Sequence, residues 1–382
     1  MKMRRWMVWL LTGLLPLMNG CAGFWDDPSS SSSSLTTTTL SSGYFFVLNI
    51  ETNQIISYYV SSGTLTKVAS YTTPTTPITL TVSPNNSFLY LSTVGGIYLY
   101  TISSGKLTLS NSGSVISSDE AYSMQVDSTS SWLVEAVSGS AYVYAIPVSS
   151  STGKPSSSSE VYTSIASSSI QQLTISPDGD YVFVAMGTGG TACIPFTASS
   201  SSPFGSVSTI STYSSSGAAL SVAVDPSERL LYIGETSATS GSNSGGLRVF
   251  KYSSFSELSG SPYATGGLAP YSILPEAGGS YVYVANRQTA SSTTGLIEGY
   301  TITSSSSTYA LSSMASNFTA GIHTVALVED SSDQFVFAVN IGGSYDLNAY
   351  VFDSSNAGYL DKVIESSTGS DPVEAGAIAA IH

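Results

Sequence analysis

One short block of aromatic and β-branched residues recurs seven times along the chain. Each copy is six residues long, as in Tyr181–Met186, and such runs are typical of buried strands. A period of this kind without helical periodicity indicates a β-propeller rather than a helical solenoid. We therefore expect seven blades. The copies begin 44 to 54 residues apart, at Tyr44, Phe88, Trp132, Tyr181, Leu230, Tyr281 and Phe335.

The segments around each block follow one order. An apolar strand such as Ile78–Ser83 comes first, and a tight turn such as Ser176–Asp180 leads into the block. Pro at the second turn position presets φ, and Asn or Gly further on tolerates a positive φ. A third strand follows, as in Ile97–Ile102, and then a weaker, Ser-rich fourth strand. The order predicts four-stranded blades.

The two ends of the chain complement each other. The first blade opens at its second strand, Tyr44–Asn49, and its missing first strand reappears as Ala375–Ile381. A C-terminal strand that completes the N-terminal blade removes two free sheet edges. The predicted fold is therefore an all-β, seven-bladed β-propeller of four-stranded blades, closed by the C-terminal strand.

The N-terminal residues have the pattern of an export signal. Positive charges at Lys2, Arg4 and Arg5 precede an apolar stretch of 13 residues, Trp6–Met18. That stretch is short for a bilayer span and suits a signal peptide. The Cys21 that follows Gly20 completes a segment that resembles a bacterial lipobox, in which the Cys is acylated. An ordinary secretory signal with an incidental Cys is the alternative.

These features divide the chain into three parts. We expect a lipoprotein signal peptide over residues 1–20, and a lipidated Cys21 with a Ser/Thr-rich tether over 21–42. The propeller takes up residues 43–382. The protein is then expected in the cell envelope, held on a bacterial membrane by the lipid on Cys21, on its periplasmic or extracellular face.

Charge and cysteine content narrow the possible functions. The net charge is −14 and only 9% of residues are charged, so an acidic surface repels the phosphates of nucleic acids. We expect no nucleic-acid partner. Two cysteines, Cys21 and Cys193, are too few for a disulfide framework. Cys193 reads as a small apolar strand residue.

Two of the repeats resemble a known family. The segments Ser176–Ala185 and Tyr281–Asn286 are similar to the YVTN-type repeats of lactonase-like seven-bladed propellers. That family includes propeller-type 6-phosphogluconolactonases and a fungal muconate-lactonising enzyme. The resemblance covers residues 43–382 and implies the propeller fold and, more weakly, hydrolysis of a lactone.

The same resemblance implies where a site would lie. Enzymes of the family use His, Arg and acidic side chains at the mouth of the central channel, and their first strands tend to open with Pro-His or Pro-Arg-His. Here only Ile322-His323 keeps a His at such a position, and the other His is the terminal His382. This departure weighs against strong catalysis.

Propeller geometry brings the start of each first strand and the end of each second strand to one face. On that face a catalytic set would consist of His323, Arg287 and Glu374, which we place on three neighbouring blades. His323 would be the general base, Glu374 its orienting partner and Arg287 the group that stabilises an oxyanion. The alternative is that these are ordinary polar residues of a propeller mouth. Further ligand-binding candidates are Glu120, Gln171, Glu235, Asn286 and Asn340.

No cofactor or metal is expected. Two His residues 59 positions apart do not make a zinc site, and the acids are spread over the blades, although a channel-bound cation remains open. Most of the 24 Tyr residues are expected in the blade cores, with Tyr122 and Tyr271 as alternatives for stacking on a carbohydrate.

Two functional hypotheses follow from these observations. A purely structural role in the cell envelope is a third alternative. The first is a binding or interaction module without strong catalysis, whose partner is a small molecule, a carbohydrate or a protein. The second is a lactone hydrolase acting on a sugar lactone or similar cyclic ester. A monomer is expected in either case.

Overall fold

The computed structural model describes residues 43–61, 64–156, 160–305, 308–365, 372 and 374–381, and within them it contains seven antiparallel sheets. The predicted signal peptide, Cys21 and the tether lie outside the described residues. In the part of the chain that is described, no helix is long and apolar enough to cross a membrane.

The strands of the first half of the chain are β1 (Gly43–Asn49), β2 (Gln54–Ser61), β3 (Thr64–Thr72), β4 (Pro77–Val82), β5 (Phe88–Thr93), β6 (Gly96–Ser103), β7 (Lys106–Leu109), β8 (Ala121–Val126), β9 (Trp132–Val137), β10 (Tyr142–Pro147), β11 (Val161–Ser164), β12 (Gln172–Ile175), β13 (Tyr181–Ala185) and β14 (Thr191–Pro195). A short 3-10 helix, Asn111–Gly113, follows β7. The strands of the second half are β15 (Ser208–Ile210), β16 (Ala219–Val224), β17 (Leu230–Glu235), β18 (Gly246–Lys251), β19 (Ser256–Glu257), β20 (Tyr263–Ala264), β21 (Pro270–Pro275), β22 (Tyr281–Asn286), β23 (Thr294–Ser305), β24 (Thr308–Ile322), β25 (Thr324–Glu329), β26 (Phe335–Asn340), β27 (Leu347–Phe352), β28 (Leu360–Glu365) and β29 (Ala375–Ala380).

Each sheet is one blade. In blades 2 to 7 the strands lie side by side in chain order, whereas blade 1 begins with the C-terminal strand. Blade 1 has the order β29-β1-β2-β3, and blades 2 and 3 are β4–β7 and β8–β11. Blades 4 to 7 are β12–β15, β16–β19, β21–β24 and β25–β28, with β20 paired to β18 in blade 5. This confirms the predicted seven blades of four strands.

The ring closes through the first strands. Strands β4, β8, β12, β16, β21, β25 and β29 contact one another in that order, and β29 contacts β4. The closing strand pairs antiparallel with β1 from Phe45↔Ala380 to Asn49↔Ala375. The predicted completion of the N-terminal blade by the C-terminus is confirmed.

The core lies between the blades, because the second strands are buried on both faces. Val182 and Val184 of blade 4 pack against Trp132 and Val134 of blade 3. At the closure, the ring centroids of Phe45 and Phe337 are 4.1 Å apart. Cys193 is buried in β14 as a free thiol, and burial raises its pKa to about 12, so it is a packing residue as predicted.

The turns between first and second strands repeat the predicted chemistry. In each, the N–H group of the residue that opens the turn donates to the carbonyl of the second strand's first residue, as for Asp127 to Trp132 and Asp330 to Phe335. Asn86 and Gly179 have the expected positive φ. We call the side of the ring that carries these turns the rear face, and the opposite side the mouth face.

Candidate functional site at the channel mouth

A β-bulge recurs where the first strands begin, on the mouth face. In blade 3 the register skips from Ala121↔Val137 to Ser123↔Ala136, which leaves Tyr122 without a partner. Bulges re-aim one side chain and often occur beside functional sites. The residues skipped in this way in six of the seven sheets are Gly376, Ile78, Tyr122, Leu220, Tyr271 and Val325. We call them, with Gln171 of blade 4, the mouth ring.

The mouth ring is largely apolar and aromatic. Its members are partly buried apart from Tyr122, whose exposed fraction is 40%. Gln171 precedes β12; its N–H donates to the carbonyl of Ala185 and its side-chain amide to that of Ser169, at 2.9 and 3.4 Å. The side chains of the mouth ring are suited to stacking and van der Waals contacts with an apolar face of a ligand.

Tyr122 and Tyr271 influence each other's surroundings electrostatically although their blades are not neighbours. Strand β8 contacts β4 and β12, whereas β21 contacts β16 and β25. Burial raises the pKa of the Tyr122 phenol, Tyr271 raises it further, and the Arg287 guanidinium lowers it. The Tyr271 phenol and the Arg287 guanidinium are therefore within electrostatic range of Tyr122. Because the two first strands are three blades apart, this interaction acts across the channel.

Arg287 follows β22 and is directed towards this pair. Its guanidinium carbon lies 5.1 Å from the centroid of the Tyr271 ring, within the range of a cation–π interaction. Its backbone N–H donates to the carbonyl of Ala269 at 2.8 Å. In a protein of net charge −14, this cation at the mouth offers a point of attachment for an oxygen-rich or anionic group.

His323 and Glu374 occupy equivalent positions in blades 7 and 1. Each precedes a first strand, each has a positive φ (53° and 50°), and each backbone carbonyl accepts at 3.1 Å from the residue after the second strand, Ile341 and Ile50 respectively. The backbone N–H of His323 donates to Thr293 of blade 6, and that of Glu374 to Oδ2 of Asp346.

The structure therefore places Arg287, His323 and Glu374 on the mouth face of blades 6, 7 and 1, which are consecutive in the ring. Within the described residues, no hydrogen bond or ion pair joins their side chains. The contact that orients Arg287 is the Tyr271 ring. A catalytic set would have to be completed by a bound ligand.

Three other candidates use their polar atoms within the protein. Asn286 exchanges hydrogen bonds with Thr265, at 2.7 and 2.8 Å, and is fully buried. Asn340 accepts from Thr324 at 2.7 Å and donates to Asn348 at 2.8 Å, and is also fully buried.

Glu235, likewise fully buried, accepts from Nη1 of Arg248 at 2.8 Å and from the N–H of Tyr213, also at 2.8 Å. Arg248 also binds Glu257, with Nη2–Oε2 at 2.7 Å. The polar ends of these second strands are therefore bonded to neighbouring strands and to the segments that connect successive blades.

Glu120, in contrast, is exposed. It lines a cleft of about 360 Å³ that also contains Asp119, Tyr122 and Ser138. A group of three carboxylates also lies in blade 3, formed by Asp119, Glu135 and Glu160. These carboxylates are close enough to bind one metal ion together.

A family model described as "Lactonase, 7-bladed beta-propeller" matches residues 47–218. The match covers less than half of the chain, from the second strand of blade 1 to the start of blade 5. This part of the chain is similar to the lactonase-like seven-bladed β-propellers.

Solved structures with this fold are similar over nearly their whole length. A "putative 6-phosphogluconolactonase" from Bacteroides fragilis is 12% identical, with a TM-score of 0.70, and the alignment covers 91% of this chain and 99% of that one. A periplasmic gluconolactonase from Pseudomonas aeruginosa is 15% identical, with a TM-score of 0.65 and coverage of 90% and 99%. No curated protein matches. At these identities the structural likeness establishes the fold alone.

Sequence reasoning singled out Tyr122 and Tyr271 but not the position of Arg287 over the Tyr271 ring. The segments Ala121-Tyr122 and Pro270-Tyr271 are those that the family resemblance matches to Pro-His positions. The resemblance therefore implies tyrosines here where enzymes of the family have histidines.

Proposed function

We propose that the protein is a lipid-anchored propeller of the cell envelope that binds a sugar lactone, or the open-chain acid of one, at the channel mouth without rapid turnover. The observation that carries the proposal is the placement of Arg287 over the Tyr271 ring at the channel mouth, with Tyr122 at the equivalent bulge of blade 3. Aromatic faces stack on sugar rings, and a guanidinium binds a carbonyl or carboxylate oxygen.

The chemistry of the mouth ring favours binding over hydrolysis. The bulged positions of the first strands carry Gly, Ile, Tyr, Leu, Tyr and Val, none of which can act as a general base at neutral pH. The periplasmic gluconolactonase among the structural neighbours supports a sugar lactone as the ligand class. Cys21 and the signal-like N-terminus support the envelope location.

Binding can be tested with glucono-δ-lactone and gluconate as probes. We expect calorimetry to detect gluconate binding to wild type, and Tyr271→Ala and Arg287→Gln each to weaken it by about tenfold or more. Tyr162→Ala is the matched control, because Tyr162 is 65% exposed on the outer strand of blade 3. Absence of binding, or equal weakening by all three variants, would contradict the proposal.

Lactone hydrolysis is the second candidate, and the placement of His323, Arg287 and Glu374 on consecutive blades favours it. His323 would take a proton from water as the water oxygen adds to the lactone carbonyl, with Glu374 orienting the imidazole and Arg287 stabilising the tetrahedral oxyanion. The imidazolium would then return the proton to the ring oxygen as the ring C–O bond breaks.

The two functions differ in the rate of ring opening. For an enzyme, His323→Ala lowers the rate by about 10²- to 10⁴-fold with little change in stability. We expect instead that wild type and His323→Ala both hydrolyse glucono-δ-lactone at the background rate. Fast hydrolysis by wild type that is lost in the variant would establish the second candidate.

A further inference from the structure

A buried carboxylate without a hydrogen-bond partner lies in the middle of blade 3. Glu135 is on β9, has no exposed surface, and neither of its carboxylate oxygens has a hydrogen-bond partner. Burying an ionised carboxylate without compensation is costly, so such groups either bind a cation or take up a proton. The surroundings of Glu135 distinguish these two outcomes.

The groups beside Glu135 are further carboxylates. Asp119, Glu135 and Glu160 each offer an oxygen, and the three oxygens lie within 4.8 Å of one another. Their positions in the chain are far apart, because Asp119 precedes β8 and Glu160 precedes β11. No cation of the protein forms an ion pair with any of them among the described residues.

We propose that Asp119, Glu135 and Glu160 form a binding site for one Ca²⁺ ion. Hard carboxylate oxygens are the ligands that Ca²⁺ prefers, at 2.3–2.6 Å, so ligands on opposite sides of the ion are roughly 4.6–5.2 Å apart. The three oxygens lie within 4.8 Å of one another, so one Ca²⁺ ion can contact all of them at these distances. Mg²⁺ requires a stricter octahedral arrangement at about 2.0–2.1 Å.

Both oxygens of Glu135 are free of other partners, so it can bind the ion in a bidentate manner. Oδ2 of Asp119 accepts from the Ser117 hydroxyl at 2.6 Å, a bond that fixes the orientation of this carboxylate. Asp119 also lines the cleft of about 360 Å³, and Glu160 is exposed, so the ion has an entry path and water can complete its coordination.

Electrostatics supports the same site. Burial and the neighbouring Asp119 and Glu160 raise the pKa of Glu135 well above its usual value, and burial and Asp119 raise that of Glu160 to about 7. A bound divalent ion would reverse this repulsion and hold all three groups ionised. It would also hold Asp119 in place, two residues before the start of β8 and three residues before Tyr122 of the mouth ring.

The experiment uses the folded protein stripped of metal with a chelator and then titrated with CaCl₂ at pH 7. We expect calorimetry to detect one ion per chain with a dissociation constant between about 10⁻⁵ and 10⁻³ M. Saturating Ca²⁺ should raise Tm by about 4 °C or more, and MgCl₂ by clearly less. Tb³⁺ provides a second readout, because Tyr144 lies directly opposite Glu135 in the β9–β10 ladder and can sensitise its luminescence.

Glu135→Gln and Asp119→Asn should each abolish the Ca²⁺-dependent rise in Tm, while Asp361→Asn, an exposed acid in blade 7, should keep it. Asp119 is at the edge of the cluster, so its variant tests the site even where Glu135→Gln folds poorly. A wild type that binds no Ca²⁺, with Glu135 protonated at pH 7, would overturn the proposal. So would a rise in Tm that all three variants retain.

Discussion

The Arg287 guanidinium lies over the ring of Tyr271, 5.1 Å from its centroid, and acts on the phenol of Tyr122 from the far side of the channel. Tyr271 is the bulged residue of β21, and Arg287 directly follows the residue paired with Pro270. The bulge in β21 therefore positions the aromatic ring of Tyr271 beside the guanidinium of Arg287 in the proposed ligand site.

The first prediction concerns the ionisation of Tyr122. Arg287 lowers the pKa of this phenol, so Arg287→Gln should raise it. NMR titration of protein with ¹³C-labelled tyrosine rings would measure the change. Lys251→Gln removes a positive charge from the rear end of β18 and should leave the Tyr122 titration where it is. An unchanged titration in Arg287→Gln would show that the two side chains are not close.

The second prediction concerns ring closure. Deletion of residues 375–382 removes β29, the strand that pairs with β1 and contacts β4 and β25. The whole ring should then lose stability, because the deletion exposes an edge of β1 and apolar side chains such as Val47. Denaturant unfolding should show a clearly lower midpoint for the entire transition. A midpoint equal to that of the full chain would contradict closure by β29.

The third prediction concerns the buried ion pairs of blade 5. Arg248→Met leaves Glu235 buried without its cation, and breaking such a pair typically costs about 3–5 kcal/mol. Lys251→Met, on the same strand but forming no ion pair in the described residues, should cost less than about 1 kcal/mol. Urea denaturation would measure the free energy of unfolding of both variants. Similar losses of stability in the two variants would mean that the Arg248–Glu235 ion pair contributes little.

The fourth prediction concerns pH. Burial is the main cause that raises the pKa of Glu329 to about 7, and Glu276, Asp333 and Asp330 add to it, while the N–H of Ala277 opposes the shift. A raised pKa means that the folded state holds the proton more tightly than the unfolded one. The stabilisation is therefore complete below about pH 4 and is lost as the pH rises towards 7.

Glu329→Gln should remove this part of the pH dependence. The free energy of unfolding of wild type should fall relative to the variant between pH 4.5 and 7.5, by on the order of 2 kcal/mol. The measurements are made without divalent ions, so that binding of an ion to the carboxylates of blade 3 does not alter the pH dependence of the free energy of unfolding. Parallel pH profiles for the two proteins would mean that Glu329 titrates normally.

The fifth prediction concerns the membrane. Cys21→Ser removes the proposed acylation site and should move the protein from the membrane fraction to the soluble envelope fraction with its fold intact. Fractionation followed by immunoblotting decides this, and a variant that stays with the membrane would remove the lipid anchor from the proposed function.

The fold could be predicted because every blade repeats the same local chemistry. Six of the seven second strands begin at the residue where the apolar block begins, from Phe88 to Phe335. The turn glycine Gly179 and the asparagine Asn86 adopt the positive φ that these residue types favour. Consistency between blades also made the missing first strand of blade 1 recognisable at the C-terminus.

The site was less predictable, because it depends on contacts between distant strands. Position alone placed Asn286 and Asn340 at the mouth, but their amides bind Thr265 and Thr324 and are buried. The contact of Arg287 with the Tyr271 ring depends on how the loop after β22 lies beside β21, which no local sequence pattern predicts. The carboxylate group of blade 3 was not predicted, because Asp119, Glu135 and Glu160 are far apart in the sequence and form no short motif.

The way the chain enters blade 1 has a consequence for orientation. Second strands end on the mouth face, so β1 begins on the rear face, where Gly43 approaches the Asp330–Ser331 turn. The chain therefore enters the ring on the rear face, and Tyr122, Tyr271 and Arg287 lie on the opposite, mouth face. A ligand can reach the proposed site without contacting the face at which the chain enters the ring.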